Sequence, residues 1–179
     1  MASNNLEKIF LTGFMGAGKT TAAGAIASAT GAKFCDLDEF ISRRQSASID
    51  DIISSLGEPE FRRIETEALA ALCACGGFCV VSTGGGVIIS ESNRAVMAQS
   101  GVVIYLKAKV ETLMRRISQD APRPLLKVDN PGAEAARLLS ERERFYETAD
   151  FTIETDGMCP DEVASEAVRL LRAETDFEK

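Results

Sequence analysis

The sequence contains no histidine, no apolar run long enough to cross a bilayer, and comparatively little positive charge. Each shortage excludes something. Without imidazole, proton transfer near neutral pH falls to other groups, and a carboxylate is the expected general base. Without a stretch of ~20 apolar residues no membrane span is expected. The start, Met1-Ala2-Ser3-Asn4-Asn5, lacks the charged and apolar regions of a secretory signal, so a cytoplasmic chain is the expectation. Lys and Arg total 20 against 27 Asp and Glu, a formal charge of -7. Nucleic acid is then not an expected partner unless a local basic patch compensates, and an anionic ligand must be held by a few placed arginines. The five cysteines are odd in number, and Cys73, Cys75 and Cys79 crowd one stretch without the histidine or second ligand pair that a zinc site needs. Reduced thiols packed as small hydrophobes are expected, with a metal site or redox switch as the alternative.

What is present suffices for one core. With 179 residues, 45% of them hydrophobic, the chain is expected to form a single domain over 1–179 and to be a monomer. Apolar runs alternate with amphipathic segments throughout, which predicts an α/β fold: three layers around a doubly wound, five-stranded parallel sheet. The strands are expected at Lys8 to Thr12, Lys33 to Leu37, Phe78 to Ser82, Val102 to Leu106 and Phe151 to Glu154, each short and mostly continuous in apolar character. A helix over Gly18 to Thr30 ends at Gly31. Ser48 with Asp51 resembles a capping box, Gly57 closes that short helix, and Pro59 suits the first turn of the next, which runs to about Leu72. In the segment 119–132, Pro122, Pro124, Pro131 and Gly132 forbid a regular helix. An irregular stretch of that length, carrying Arg123, reads as a mobile lid rather than a plain surface loop.

Gly13-Phe14-Met15-Gly16-Ala17-Gly18-Lys19-Thr20 matches the phosphate-loop pattern G-x-x-x-x-G-K-[ST], after an expected strand and before an expected helix. Its glycines let successive N–H groups converge on a phosphate, and the helix N-terminus adds its dipole. Nucleotide contacts are therefore expected from Gly13, Met15, Gly16, Ala17, Gly18, Lys19, Thr20 and Thr21. Lys19 would reach the β and γ phosphates as a catalytic group, and the Thr20 hydroxyl would ligate Mg²⁺. A signalling GTPase is disfavoured, because the nearest guanine-reading string, Leu126-Lys127-Val128-Asp129, has the wrong first residue and lies in the irregular segment.

Asp36-Leu37-Asp38 falls at the end of the second expected strand, where open α/β sheets gather ligands. If the segment is extended, positions two apart face one crevice, so one carboxylate can serve Mg²⁺ and the other an acceptor. Two solvated acids starting a helix is the alternative. Three further features stand at comparable places: Phe61-Arg62-Arg63 with Glu65, the run Ser82-Thr83-Gly84-Gly85-Gly86, and Arg142 within Ser140-Glu141-Arg142-Glu143-Arg144.

Taken together, the phosphate loop, D-x-D, F-R-x-x-E, the Gly-Gly-Gly run, R-P-L-L after Pro122 and the later E-R segment before Tyr146 resemble the shikimate kinase family across essentially the whole chain. The resemblance implies a nucleoside-monophosphate-kinase-like fold and Mg²⁺-dependent transfer of phosphate from ATP to a hydroxyl of shikimate. It assigns Arg62 and Arg142 to the shikimate carboxylate, Asp38 to the ring hydroxyls as candidate base, and Phe61, Gly84, Gly85 and Gly86 to the same substrate. It places Asp36 beside Mg²⁺, Glu65 behind Arg62, Arg123 over the transferring phosphoryl and Arg116 near adenine. Guanidinium forks suit a carboxylate, which agrees with the first assignment. Around Thr155-Asp156-Gly157-Met158, where some members carry an arginine beside adenine, this chain has no basic residue. Arg63, Arg115 and Arg144 are expected on the surface. Another small-metabolite kinase of this fold, such as a gluconate kinase, and a non-catalytic shikimate-kinase-like binding protein are the alternatives.

Overall fold

The computed structural model describes residues 7–117 and 130–177, with side chains through residue 173. Five strands, β1 Lys8–Thr12, β2 Lys33–Asp36, β3 Cys79–Ser82, β4 Gly101–Lys107 and β5 Phe151–Glu154, form one parallel sheet in the order β2-β3-β1-β4-β5. The central strands are buried on both faces, which explains their unbroken apolar runs. Alternate residues divide between two layers. Ile9, Leu11, Val80 and Ile104 face a core shared with α1 (Lys19–Thr30), α6 (Val110–Ile117) and α8 (Pro160–Phe177). Phe10, Val81, Val103 and Tyr105 face a second core shared with α2 (Leu37–Gln45), α3 (Ile49–Leu56), α4 (Glu58–Ala74) and α5 (Glu91–Ser100). The remaining α-helix, α7 (Pro131–Tyr146), gives Ala135 and Leu138 to the first core and Tyr146 to the second.

This topology fixes where a ligand can sit. From β1 the chain crosses to β2 on one side of the sheet, and from β3 it crosses back over β1 to β4 on the other. The order therefore reverses between β1 and β3, and the loops leaving those two strands diverge to open a crevice. Those loops are the phosphate loop and the Gly84–Gly86 run.

At the opposite end of β1, Lys8 is 2% exposed, and its Nζ donates to the carbonyls of Cys75 and Gly77 at 2.8 Å each. The ammonium fastens the turn that leads into β3.

β3 begins one residue later than expected, β4 extends one residue further at each end, and two other boundaries differ for identifiable reasons. β2 stops at Asp36 because Asp36 is the N-cap of α2, its carboxylate accepting from the N–H groups of Asp38 and Glu39. Pro131 and Gly132, expected to interrupt helix, instead open α7 behind an Asn130 cap that accepts from the Ala133 N–H at 3.1 Å. Proline is tolerated in a first turn, where its missing N–H is no loss. The remainder of the expected lid, with Arg123, lies outside the described residues. Elsewhere the caps agree: the Ser48 hydroxyl accepts from the Asp51 N–H at 3.1 Å, and the Gly57 N–H closes α3 on Ile53 O.

Candidate active site

The phosphate loop leaves β1 and is pressed against α6. Gly16 has φ +79°, and a Cβ there would lie 2.8 Å from Ile117 Cγ1, so both the turn and the space call for glycine. Gly18 caps α1 without a side-chain bond, and the first turn of that helix carries no acid. Its N–H donors and dipole are thus left for an anion. The Lys19 ammonium is held over the loop by the carbonyls of Gly13 (2.9 Å) and Phe14 (3.0 Å).

Next to it, the Thr20 hydroxyl donates to Asp36 Oδ2 at 2.8 Å and lies 3.1 Å from Ser82 Oγ. Three hard oxygens from α1, β2 and β3 converge here. Among the described residues no group of three or more His, Cys, Asp or Glu is placed to hold a metal. The donor set suits an ion such as Mg²⁺, which takes one carboxylate and relies on water and phosphate for the rest. Local sequence gives Ser82 no role beyond ending β3, and the contact with Thr20 supplies one. Its hydroxyl occupies a position where P-loop proteins often carry an acid.

Asp38 reaches the crevice by a different route from the one expected. The expected extended pairing fails, because Asp36 ends the strand while Asp38 stands in the first turn of α2. Both nonetheless line one cavity of about 440 Å³ with the phosphate loop, Gly84 and Gly85. The helix-starting alternative thus describes the backbone, and the shared-crevice reading describes the side chains.

The acceptor wall is built on α4 and the glycine run. A Cβ at Gly84 would sit 3.1 Å from both Asp38 Oδ1 and Glu65 Oε1, so the two carboxylates flank that residue. Glu65 is 1% exposed, and burial pushes its carboxyl up in pKa, with Arg62 offsetting only part of the rise. Its Oε2 accepts from Arg62 Nη1 at 2.9 Å, while Arg62 Nη2 donates to Glu58 at 3.1 Å. Burial lowers the Arg62 pKa, but Glu65 and Glu58 more than reverse this and keep the guanidinium charged. The fork lies flat on Gly86, where a Cβ would be 2.6 Å from both terminal nitrogens. Arg62, Glu65 and Gly86 line a second cavity of about 410 Å³ beside the first. Of the expected acceptor residues, Asp38, Gly84 and Gly85 line the first cavity and Arg62 and Gly86 the second, whereas Arg142 lines neither.

Phe61 lines neither cavity. It is 4% exposed in the core below Arg62, whose Cζ lies 5.1 Å from its ring centroid. There it supports the arginine from beneath, on the side of α4 turned to the sheet. From α7, the Arg142 guanidinium partly offsets the rise that burial imposes on the Tyr146 phenol pKa, and the Tyr146 hydroxyl donates to Gly85 O at 2.6 Å. Arg116 lines the other end of the first cavity, bonding Ala17 O, Thr155 Oγ1 and Thr155 O at 3.3, 3.2 and 2.8 Å. Met158, Pro160 and Val163 give that end an apolar wall. Asp156 points to the backbone, its pKa lowered by the Thr112 side chain and the Lys109 N–H.

Arg63, Arg115 and Arg144 are exposed, as expected. Of the cysteines, Cys35, Cys73 and Cys79 are half-buried, whereas Cys75 and Cys159 are exposed, and all five are free. Burial pushes the Cys35 thiol up to about 11, which keeps it protonated and unreactive.

The model of a family described as "Shikimate kinase" matches residues 15–172. A shikimate kinase from Geobacter metallireducens is 41% identical over 95% of this chain and 94% of its own length. The chain belongs to the shikimate kinase family. A solved shikimate kinase from Acinetobacter baumannii, in complex with shikimate, superposes with a TM-score of 0.89 at 38% identity and covers 95% of both chains. By contrast, a gluconokinase from Sinorhizobium meliloti gives a TM-score of 0.58 at 16% identity, which is a likeness of fold alone.

Proposed function

We propose that this chain transfers the γ-phosphoryl of ATP to the 3-hydroxyl of shikimate, with Mg²⁺. The observation that carries the reading is the acceptor wall, where buried Glu65 pins the Arg62 fork flat on Gly86 beside Asp38. A planar cation at that place suits a carboxylate on a small ring. Arg142 is the second arginine for that carboxylate, and the Gly85 and Gly86 N–H groups are further donors. Asp38 takes the proton of the attacking hydroxyl. Lys19 and the phosphate loop hold the β and γ phosphates, and Thr20 and Asp36 serve Mg²⁺, which would balance phosphate charge. Arg116 and the apolar wall of Met158, Pro160 and Val163 hold adenine. Arg123, which lies outside the described residues, is assigned to the transferring phosphoryl by the family resemblance alone.

The direct test is ADP release from ATP and Mg²⁺ with shikimate, gluconate and nucleoside monophosphates offered separately. Turnover with shikimate alone is expected, and preference for gluconate would overturn the reading. Two substitutions probe the acceptor side. Arg142→Lys keeps the charge and removes the fork, so calorimetry should show shikimate binding weakened about ten-fold or more. ATP binding should change much less, and equal weakening of both would move Arg142 out of the acceptor site. Gly86→Ala forces a methyl against a guanidinium that Glu65 and Glu58 hold in place. It should raise the shikimate KM by about ten-fold and lower the thermal midpoint by a few degrees, as an overpacking cost of about 1–3 kcal/mol implies. An unaltered KM would mean that Arg62 moves aside freely.

A further inference from the structure

The shikimate reading of the site leaves open what orients the glycine run itself, and the geometry points to Tyr146. We propose that Tyr146 is a positioning residue: its hydroxyl fixes the Gly85–Gly86 peptide so that the Gly86 N–H faces the acceptor. Arg94 holds the far end of the same loop.

A run of three glycines has no side chains to settle its own conformation and can rotate its peptide planes at little steric cost. Something outside the run must choose one. The Tyr146 hydroxyl donates to Gly85 O at 2.6 Å, a short bond for a group that is 0% exposed. In a trans peptide the carbonyl and the following N–H point in opposite directions. Drawing Gly85 O toward α7 therefore turns the Gly86 N–H away from α7, toward the Arg62 and Glu65 side, where the acceptor is read to sit.

Tyr146 is itself held rigidly. Its ring stacks on Tyr105 of β4 with centroids 5.0 Å apart and planes 13° from parallel, and the Arg142 charge lies close enough to act on the phenol. One phenol thus joins the second carboxylate-binding arginine to the glycine run. A second tie lies a few residues on. Arg94 Nη1 donates to the carbonyls of Ile88 (2.7 Å) and Ile89 (2.9 Å), and its guanidinium lies over the Phe145 ring at 4.9 Å. Both ends of the loop over 84–89 are therefore fastened to the last turn of α7 through the consecutive residues Phe145 and Tyr146.

The test compares Tyr146→Phe with Tyr105→Phe. Each deletes one phenolic oxygen from the same stacked pair, and only the first removes the bond to Gly85. Tyr146→Phe should raise the shikimate KM about ten-fold while the ATP KM stays within about two-fold, whereas Tyr105→Phe should leave both within about two-fold. In the protein without substrate, the Gly86 amide resonance should shift or broaden in Tyr146→Phe and keep its position in Tyr105→Phe. Equal effects of the two substitutions would reduce Tyr146 to a core residue and overturn the proposal, as would an unchanged Gly86 amide. Should Tyr146→Phe fail to fold, Arg94→Gln probes the brace from its more exposed end, and an unmoved shikimate KM and Gly86 amide there overturn it equally. If the parent protein proves inactive on shikimate, the functional reading fails on its own, and the amide comparison still decides the brace.

Discussion

Replacing Lys19 by alanine is expected to abolish measurable turnover and leave the fold in place. The ammonium sits on the loop carbonyls of Gly13 and Phe14, and Lys19 is not among the buried core residues, so its removal should cost the fold little. Its loss falls on charge that develops as the phosphoryl moves, where one placed donor accounts for about 10²–10³ in kcat, and a cation on phosphate for at least as much. Circular dichroism matching the parent beside lost phosphoryl transfer is the expected pair of results. Activity within a few-fold of the parent would remove Lys19 from the nucleotide site.

Asp38→Asn should be nearly as damaging, by a different route. The amide keeps the size of the carboxylate and its place beside Gly84, but cannot accept a proton from the attacking hydroxyl. A positioned general base contributes about 10²–10⁴ in rate, and single-turnover transfer should fall by that order. Equilibrium shikimate binding should remain measurable, because Arg62 and Arg142 are untouched. With no histidine in the chain, an acidic limb in the kcat profile of the parent is expected from a carboxylate; its loss in the variant would assign it to Asp38, and its persistence to Glu65, whose pKa burial raises. A variant that transfers phosphate at the parental rate would assign the proton to another group.

How much of this could be read from sequence depends on whether the signal was local. β1 and β5 have the expected limits, because their apolar runs are bounded by turn residues on both sides. β2 was expected one residue too long, since the apolar Leu37 extends the run while the cap bond made by Asp36 is invisible to an apolar count. The acids at Asp36, Asp38 and Glu39 were the available signal for a helix start. Pro131 was read as a breaker when it was a first-turn residue; the Asn130 before it was the missed cue. At the site, the phosphate loop is contiguous and was wholly legible. Arg62 and Glu65 were placed by helical spacing, whereas burial of Phe61 depends on which way α4 rolls onto the sheet. Ser82 meeting Thr20, and Tyr146 meeting Gly85, join residues 62 and 61 positions apart in the chain. No local pattern encodes such pairs.

The buried Lys8 has a consequence for how the molecule comes apart. Its ammonium has exchanged water for the carbonyls of Cys75 and Gly77, so lifting that turn alone would strand a charge against the second core. The turn carries Gly76 and Gly77, a composition that elsewhere frays on its own and invites nicking by proteases. Here its opening is tied to the loss of bonds from β1, the central strand of the sheet, which pairs with β3 just beyond the turn. A glycine-containing surface turn thereby belongs to the global unfolding unit and not to the fraying edge of the protein.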